Sequence, residues 1–446
     1  DADSLQIQIA SDDINEIRHL ISGKVLEVLT NSAEFYVKPS VGKPLTPADI
    51  QIMRQTDFGT QQKAMPRLFD GATIYVQNNG KTAREYIYNS STEEFASAPI
   101  GLRSSHLVSG AQDTATVTSL SDRDEQMFFI VNSDGTVAVY TAQRLQEISG
   151  WCQWNTNGTI ESICATTDIV YFSVKRTINS ATVYYLEQLA STAFDIPTDM
   201  TVTKTLSGSY QPHGSPLTNG TTSSSTGVIV NGFTNAPSVG EKFTFAGNAT
   251  VYTINAASAT SNSGEYSLTL NAAVSTANDV ALTFTASKTW SALNSAPDMR
   301  GLTVYGTSGS TEGATDINYY GDGVVTSGGV VVLDSVAAAV DIGLSYTLEI
   351  DTLPAVGSVQ QMPLTGAPRK IAKAIFQLSS TYNLKVNGND VVISTVSNLD
   401  TSAGLDSYTG KKEVYCLGYD LEPYLTITQS APLPARILTI TSEVYF

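Results

Sequence analysis

Histidine and cysteine are nearly missing from this chain: three of each stand among 446 residues. His19, His106 and His213 are scattered, and none sits in an H-E-x-x-H, Ser-His-Asp or Cys-His context, so neither a metalloprotease nor a triad hydrolase is indicated. His213 falls in a Pro/Gly loop and is expected to be solvated. Cys152, Cys164 and Cys416 are odd in number, with no C-x-x-C spacing and no neighbouring histidine. That pattern supports neither a disulfide framework nor a zinc site, and buried free thiols are expected. No apolar run approaches the ~18 residues needed to span a bilayer. The N-terminus lacks the basic-then-apolar pattern of a secretion signal. It has no initiator Met either, beginning DADSLQIQIASDD, and is expected to start inside a longer product or after processing.

Charge is also scarce, at 15% of residues, and basic charge scarcest: 25 Lys and Arg against 42 Asp and Glu leave −17. A duplex carries one negative charge per ~1.7 Å of axis, so this composition excludes a protein that coats nucleic acid through a basic surface. No G-x-S-x-G elbow occurs. Gly321-Asp322-Gly323 lacks the lysine of a phosphate loop and reads as a turn. Ser121-Asp122-Arg123-Asp124-Glu125 and the leading Asp1 and Asp3 are acidic without the full calcium-loop pattern. A glycosidase needs two facing carboxylates, and nothing singles out such a pair. No catalytic, cofactor-binding or metal-binding residue is assigned, and the chain is not expected to be an enzyme.

What is present is strand. From Met127 to Leu189 the chain reads MFFIV, Asn132-Ser133-Asp134-Gly135, TVAVY, a Trp151/Trp154 pair, Asn157-Gly158, IESICA, IVYFSVKR, Asn179-Ser180 and TVYYLEQL. Short apolar, β-branched runs bounded by turn-forming pairs are the pattern of strands joined by tight hairpins. Upstream, VLEVLT, EFYVK, TIYVQ and REYIY repeat the style, with turns at Asn31-Ser32 and Asn78-Asn79-Gly80. Phe35, Tyr75, Phe129 and Tyr171, taken as comparable strand positions, are 40, 54 and 42 residues apart. Such spacing suits four-stranded propeller blades. Ser11 before DINEIRHLI could cap a short helix, with a strand-turn nearly as good.

After Pro197 the style changes. Thr201 to Trp290 carries six charges that sum to zero, and begins with the Ser/Thr/Gly run LTNGTTSSSTG, read as a flexible entrance to alternating strands. The fold class expected is all-β: a propeller-like β body over 1–197 and 291–446 with a small charge-poor β-domain inserted at 198–290. Lys370 to Leu378 favours strand over helix. Pro423, Pro432 and Pro434 mark strand entrances, and the last strand could close a ring.

Several phrases in this order resemble the tail nozzle proteins (tail tubular protein B) of short-tailed bacteriophages. They include DDINEIRHLI, KVLEVLTNSAEFYV, ADIQIMRQTDFGT, IYVQNNGKTAREYIYN, ISGWCQWNTNGTIESICA and IVYFSVKRTINSATVYYLEQL. Downstream follow GLSYTLEIDTLP, RKIAKAIFQLSSTYNLKV, YTGKKEVY and LTITQSAPLPARILTITSEVYF. The resemblance implies a structural virion protein at the distal tail, assembled in the host cytoplasm. Six copies would form a ring below the tail adaptor ring and beside tail fibres or spikes. Double-stranded DNA would pass through the ring without specific binding, and no membrane-spanning segment is implied. The family's gating loops share no motif that maps onto numbered residues here, and its N-terminal portion and a counterpart of the insertion are expected to be missing from this sequence. The alternative is a tail-associated receptor-binding or polysaccharide-degrading β-propeller protein.

Overall fold

The structure, a computed structural model, describes residues 15–445 apart from 39–45, 47–48, 93, 119–125, 190–197, 309–316, 355–357, 360–361, 364–367, 394–406 and 430. The chain is all-β, and among the described residues helix is limited to two single 3₁₀ turns. Among the described residues no helix is long and apolar enough to cross a membrane. The chain divides into two compact units, Asp1–Thr177 with Ala181–Thr192, and Ile178–Ser180 with Ala193–Phe446.

The first unit is a stack of antiparallel meanders. Strands β1 (Ile17–Ser22), β2 (Leu26–Thr30), β3 (Glu34–Lys38) and β4 (Gln51–Thr56) form one sheet in chain order. β5 (Arg67–Phe69), β6 (Ala72–Val76), β7 (Ala83–Asn89) and β8 (Glu94–Pro99) form the second. β9 (Asp113–Val117), β10 (Gln126–Val131), β11 (Val137–Gln143) and β12 (Ile148–Trp154) form the third. β13 (Thr159–Ala165), β14 (Val170–Ile178) and β15 (Ala181–Gln188) form a fourth, with three strands. The first strands begin at Ile17, Arg67, Asp113 and Thr159, a repeat of 46 to 50 residues. The proposed markers were slightly off register: Tyr75, Phe129 and Tyr171 lie on second strands, whereas Phe35 lies on the third strand of its sheet.

Period-two alternation explains the stacking, because successive side chains of one strand enter opposite interfaces. Phe128 and Ile130 face the second sheet, where they meet Phe69, Ile74 and Val76. Phe129 and Val131, each one residue on, face the fourth sheet and meet Ile160, Ile163, Phe172 and Val174. The sheets also touch along their first strands: Arg67 Nη2 donates to the Thr114 carbonyl (2.8 Å), and the Ile163 N–H to Asp113 Oδ2 (3.0 Å). At Gly59, before the second sheet, φ is +65°, and an added Cβ would lie 2.1 Å from the Asn31 carbonyl oxygen. Only glycine allows that approach.

In the second unit, β16 (Asp199–Thr205) pairs far along the chain. β17 (Gly214–Thr218), β18 (Thr222–Phe233), β19 (Lys242–Phe245), β20 (Tyr252–Ala259), β21 (Tyr266–Thr276) and β22 (Leu282–Trp290) make a curled sheet in the order β17-β18-β21-β20-β19-β22. Its ends return to each other through the Leu217–Ala281 bridge, so the sheet covers its own core of Val230, Phe243, Ile254, Leu268 and Phe284. Next come β23 (Thr303–Ser308), β24 (Asn318–Val324), β25 (Val331–Ala337) and β26 (Ala339–Leu344). β25 extends the curled sheet beyond β22, and β16-β26-β23-β24 form a sheet around Val304, Leu333 and Ile342.

The remaining strands are β27 (Leu348–Asp351), β28 (Ser358–Val359), β29 (Met362–Pro363), β30 (Lys370–Thr381), β31 (Lys385–Val386), β32 (Asn389–Asp390), β33 (Tyr408–Tyr415), β34 (Thr426–Gln429) and β35 (Arg436–Tyr445). β28 pairs with β29 alone, while sheet β33-β30-β35 packs Phe376 and Leu378 against Leu384, Val386 and Ile427 of sheet β27-β34-β31-β32. The strand thought able to close a ring, β35, pairs with β30.

Five sequence expectations are corrected. Ile17–Ser22 is strand, its described side chains pairing with β2, so the helical reading fails there; Ser11 and Ile14 lie outside the described residues. LTNGTTSSSTG is not a flexible entrance, because Thr218 and Thr222–Gly227 are strand residues of the curled sheet. Gly321-Asp322-Gly323 is no turn: it runs through β24, where Cβ atoms on the two glycines would strike Asp334 and Val331. Asn157-Gly158 closes no hairpin but carries the chain from the third sheet to the fourth. The thiols are not the buried ones expected, since Cys152 and Cys164 are exposed and Cys416 is half-buried.

Candidate functional site

Two clusters of buried ionisable side chains stand out. The first gathers a serine, a histidine and a carboxylate in the curled sheet. A bulge in β22 between Ser287 and Thr289 turns two backbone N–H groups away from the ladder. Both point at Glu241 Oε1, from Lys288 at 3.0 Å and Thr289 at 3.2 Å, and the Ser287 hydroxyl donates to the same oxygen at 2.7 Å. Oε2 accepts from the Ser238 N–H at 2.8 Å and lies 2.9 Å from His213 Nε2. The other ring nitrogen, Nδ1, is 3.0 Å from the Asn235 carbonyl oxygen, so both nitrogens face acceptors. Burial pushes the Glu241 carboxyl up, but His213, the Ser238 N–H and the Ser287 hydroxyl outweigh it and hold the carboxyl below its usual range.

The order of contacts is wrong for a nucleophile. Ser287 donates to the carboxylate, its oxygen is 3.4 Å from His213 Nε2, and all three residues are 0% exposed. A triad needs the histidine to take the serine proton beside a reachable carbonyl carbon. This cluster is a clamp tying the loop before β17 to the loop before β19 and to β22. It also overturns the expectation that His213 is solvated.

The second cluster lies between the first two sheets of the first unit. Glu27 on β2 and Glu34 on β3 share a face with Tyr36, opposite Thr73, Tyr75, Arg84, Tyr86 and Phe95. Glu27 is 3% exposed and Glu34 fully buried. Glu34 Oε2 accepts from the Thr56 hydroxyl and from the Phe58 N–H at 3.3 Å. Glu34 Oε1, Glu27 Oε2 and the Tyr86 hydroxyl have no hydrogen-bond partner. Arg84 is the nearest cation on the opposing sheet, yet its N–H groups go to Gln77 Oε1 and the Ser97 carbonyl and its guanidinium stacks 3.3 Å from the Phe58 ring centre. Burial therefore raises the Glu27 carboxyl to about 7, offset only in part by Thr73. It also raises Glu34, against Thr56, Phe58, Tyr75 and Arg84. Sequence reading passed over both acids. The available signal was a lone Glu inside each apolar run, LEVL and EFYV.

Neither cluster lines either of the two best-formed hollows among the described residues. Of the two best-formed hollows, one of about 70 Å³ lies between Trp151, Leu102 and Val108, and an open one of about 250 Å³ lies beside Phe245, Asn248 and Val280. Ligand pockets usually enclose about 300–1,000 Å³. Among the described residues no three His, Cys, Asp or Glu side chains gather as metal ligands. His19 Nε2 bonds the Gln61 carbonyl at 2.9 Å, and His106 sits exposed in a 3₁₀ turn. Asp1, Asp3 and Ser121–Glu125 lie outside the described residues. The exposed side offers surfaces: Tyr415, Leu417, Tyr419 and Leu421 are all more than half exposed, and Lys370 Nζ lies 5.2 Å and 5.5 Å from the ring centres of Tyr419 and Tyr445. No known family model matches the chain, and no curated protein is significantly similar to it.

Proposed function

We propose that this chain is the nozzle subunit of a short bacteriophage tail, a structural ring component that retains the genome and then passes it during ejection. The observation that carries the reading is where the family-like phrases fall. KVLEVLTNSAEFYV forms the β2–β3 hairpin, IYVQNNGKTAREYIYN the β6–β7 hairpin and IVYFSVKRTINSATVYYLEQL the β14–β15 pair, each joining the second and third strands of its sheet. RKIAKAIFQLSSTYNLKV and LTITQSAPLPARILTITSEVYF supply β30, β34 and β35 of the C-terminal sandwich. The phrases therefore mark recurring architectural positions, and the buried clusters act as supports.

In this reading six copies form a ring through two different, complementary faces, as cyclic symmetry requires. The adaptor ring lies above and fibres or spikes beside. A net charge of −17 per chain disfavours sticking to DNA, which suits a tube through which a duplex must slide. A nonsense mutation in the gene tests the role. Mutant particles are expected to lack the distal tail tip and to leave their packaged DNA open to nuclease. Particles with complete tails and protected DNA would remove the proposal.

A further inference from the structure

The three interfaces of the first unit differ in kind. The second and third sheets meet through Phe69, Ile74, Val76, Phe128 and Ile130, and the third and fourth through Phe129, Val131, Val137, Ile163 and Phe172. The buried side chains of those cores include no titratable group; the charged groups beside them, Arg144 with Asp70 and Glu85 and Asp113 with the Ile163 N–H, are each paired. The first and second sheets meet through Glu27, Glu34, Tyr36, Tyr75, Tyr86 and Phe95, two carboxyls among four aromatic rings. Burying an ionised carboxylate without a partner costs far more than burying the neutral acid.

We infer that the first sheet, β1–β4, is a releasable blade whose docking on the second sheet is set by ionisation of the Glu27 and Glu34 pair. Closed, the sheets bury two carboxyls with one unpartnered oxygen each, opposite an unpartnered Tyr86 hydroxyl. A protonated carboxyl gains a donor that can serve such a hydroxyl. An ionised one offers no donor, and the groups that reach these carboxyls, Thr73 for Glu27 and Thr56 with the Phe58 N–H for Glu34, do not outweigh the burial.

The groups facing Glu27 are few. On its own sheet they are Glu34, Tyr36 and, on β1, His19, whose Nε2 lies 2.9 Å from the Gln61 carbonyl oxygen, with Arg18 donating to the Thr60 carbonyl and Asn78 Oδ1; on the opposing sheet they are Thr73, Tyr75, Arg84, Tyr86 and Tyr88. Lys24 stands at the rim with its ammonium 4.0 Å from the Tyr88 ring centre, exposed to water. Burial, with the neighbouring glutamates adding to it, holds Tyr75 and Tyr86 well above the usual phenol range, so neither ionises in competition. Opening leaves Tyr36 and Phe95, whose ring centres are 5.6 Å apart, and the stacked pair Tyr86 and Phe95, at 4.6 Å, facing solvent.

The sign follows from proton counting. Glu27 binds its proton more tightly closed, near 7, than open, near the ordinary 4.5, so docking is strongest in acid and weakens as pH rises toward 7. Above that it levels off. Glu34, also raised, works in the same direction.

Hydrogen exchange of the intact chain at pH 5.5 and 8.5, corrected for intrinsic exchange, measures the opening directly. Amides of β2 and β3 are expected to exchange about thirtyfold faster at the higher pH relative to those of β10 and β11, from a tenfold change per pH unit up to the Glu27 midpoint. Glu27→Gln should flatten that ratio, and Glu27→Leu, which has no proton to lose, should do the same if the amide variant folds poorly. An unchanged ratio in the wild-type chain, or a full pH response retained in both variants, would overturn the inference.

Discussion

Glu241→Ala is expected to lower the stability of the curled β17–β22 sheet by about 3–5 kcal/mol, the scale seen when one partner of a buried ion pair is removed. The carboxylate receives five donors: the N–H groups of Ser238, Lys288 and Thr289, the Ser287 hydroxyl and His213. Alanine leaves those donors buried and His213 without its counter-ion. The readout is the denaturant dependence of exchange at amides of β19 and β22. The pH leg carries the opposite sign to that of Glu27. Because the Glu241 carboxyl is held below its ordinary 4.5, its contribution is complete above that value and is lost as pH falls through the depressed midpoint. Wild-type protein should therefore lose protection here in acid, and Glu241→Gln should flatten the loss. A cost under about 1 kcal/mol would mean the clamp contributes little more than an ordinary surface substitution.

Phe129→Ala is expected to cost about 3–5 kcal/mol, the sum of lost transfer energy and the cavity left behind. Phe129 is fully buried between the third and fourth sheets, edge-on to Trp154 with ring centres 5.6 Å apart and to Phe172 at 6.4 Å. Its neighbour Phe128 is equally buried but faces the second sheet, edge-on to Phe69 at 6.5 Å. The two alanine variants should therefore loosen different interfaces, amides of β13 and β14 in one case and of β5 and β6 in the other. Equal exchange changes at both interfaces from either variant would show that the sheets do not stack as separate layers.

That alternation was legible in MFFIV, since a run buried on both faces reads as unbroken apolar sequence. The turns were legible in part. Asn179-Ser180 closes β14–β15 with positive φ at both residues, as its residue types suggested. Asp70-Gly71 and Asn387-Gly388 do the same for β5–β6 and β31–β32. Both carry the ordinary hairpin signal and were passed over.

Where the reading failed, the deciding partner lay outside the stretch being read. Gly321 and Gly323 sit in a strand because Asp334 and Val331 occupy the space where their side chains would be. His213 is buried because Glu241 and Ser287 supply its surroundings, and no local pattern links those three positions. Ser and Thr in LTNGTTSSSTG read as linker because composition does not reveal that strand β21 lies beside them. The candidate clusters were hidden for a related reason. A Glu in a strand marks a solvated face until the opposing sheet is known, and for Glu27 and Glu34 that sheet begins some forty residues later.

Electron microscopy of intact and DNA-emptied particles labelled with gold-conjugated antibody against this chain tests the central claim most directly. The expected result is label at the distal tip of the short tail in both states, which places the chain on the path of the genome. Label along fibres or spikes, or on no particle at all, would contradict the conduit role and leave the stacked sheets and the curled β-domain as a scaffold for some other task.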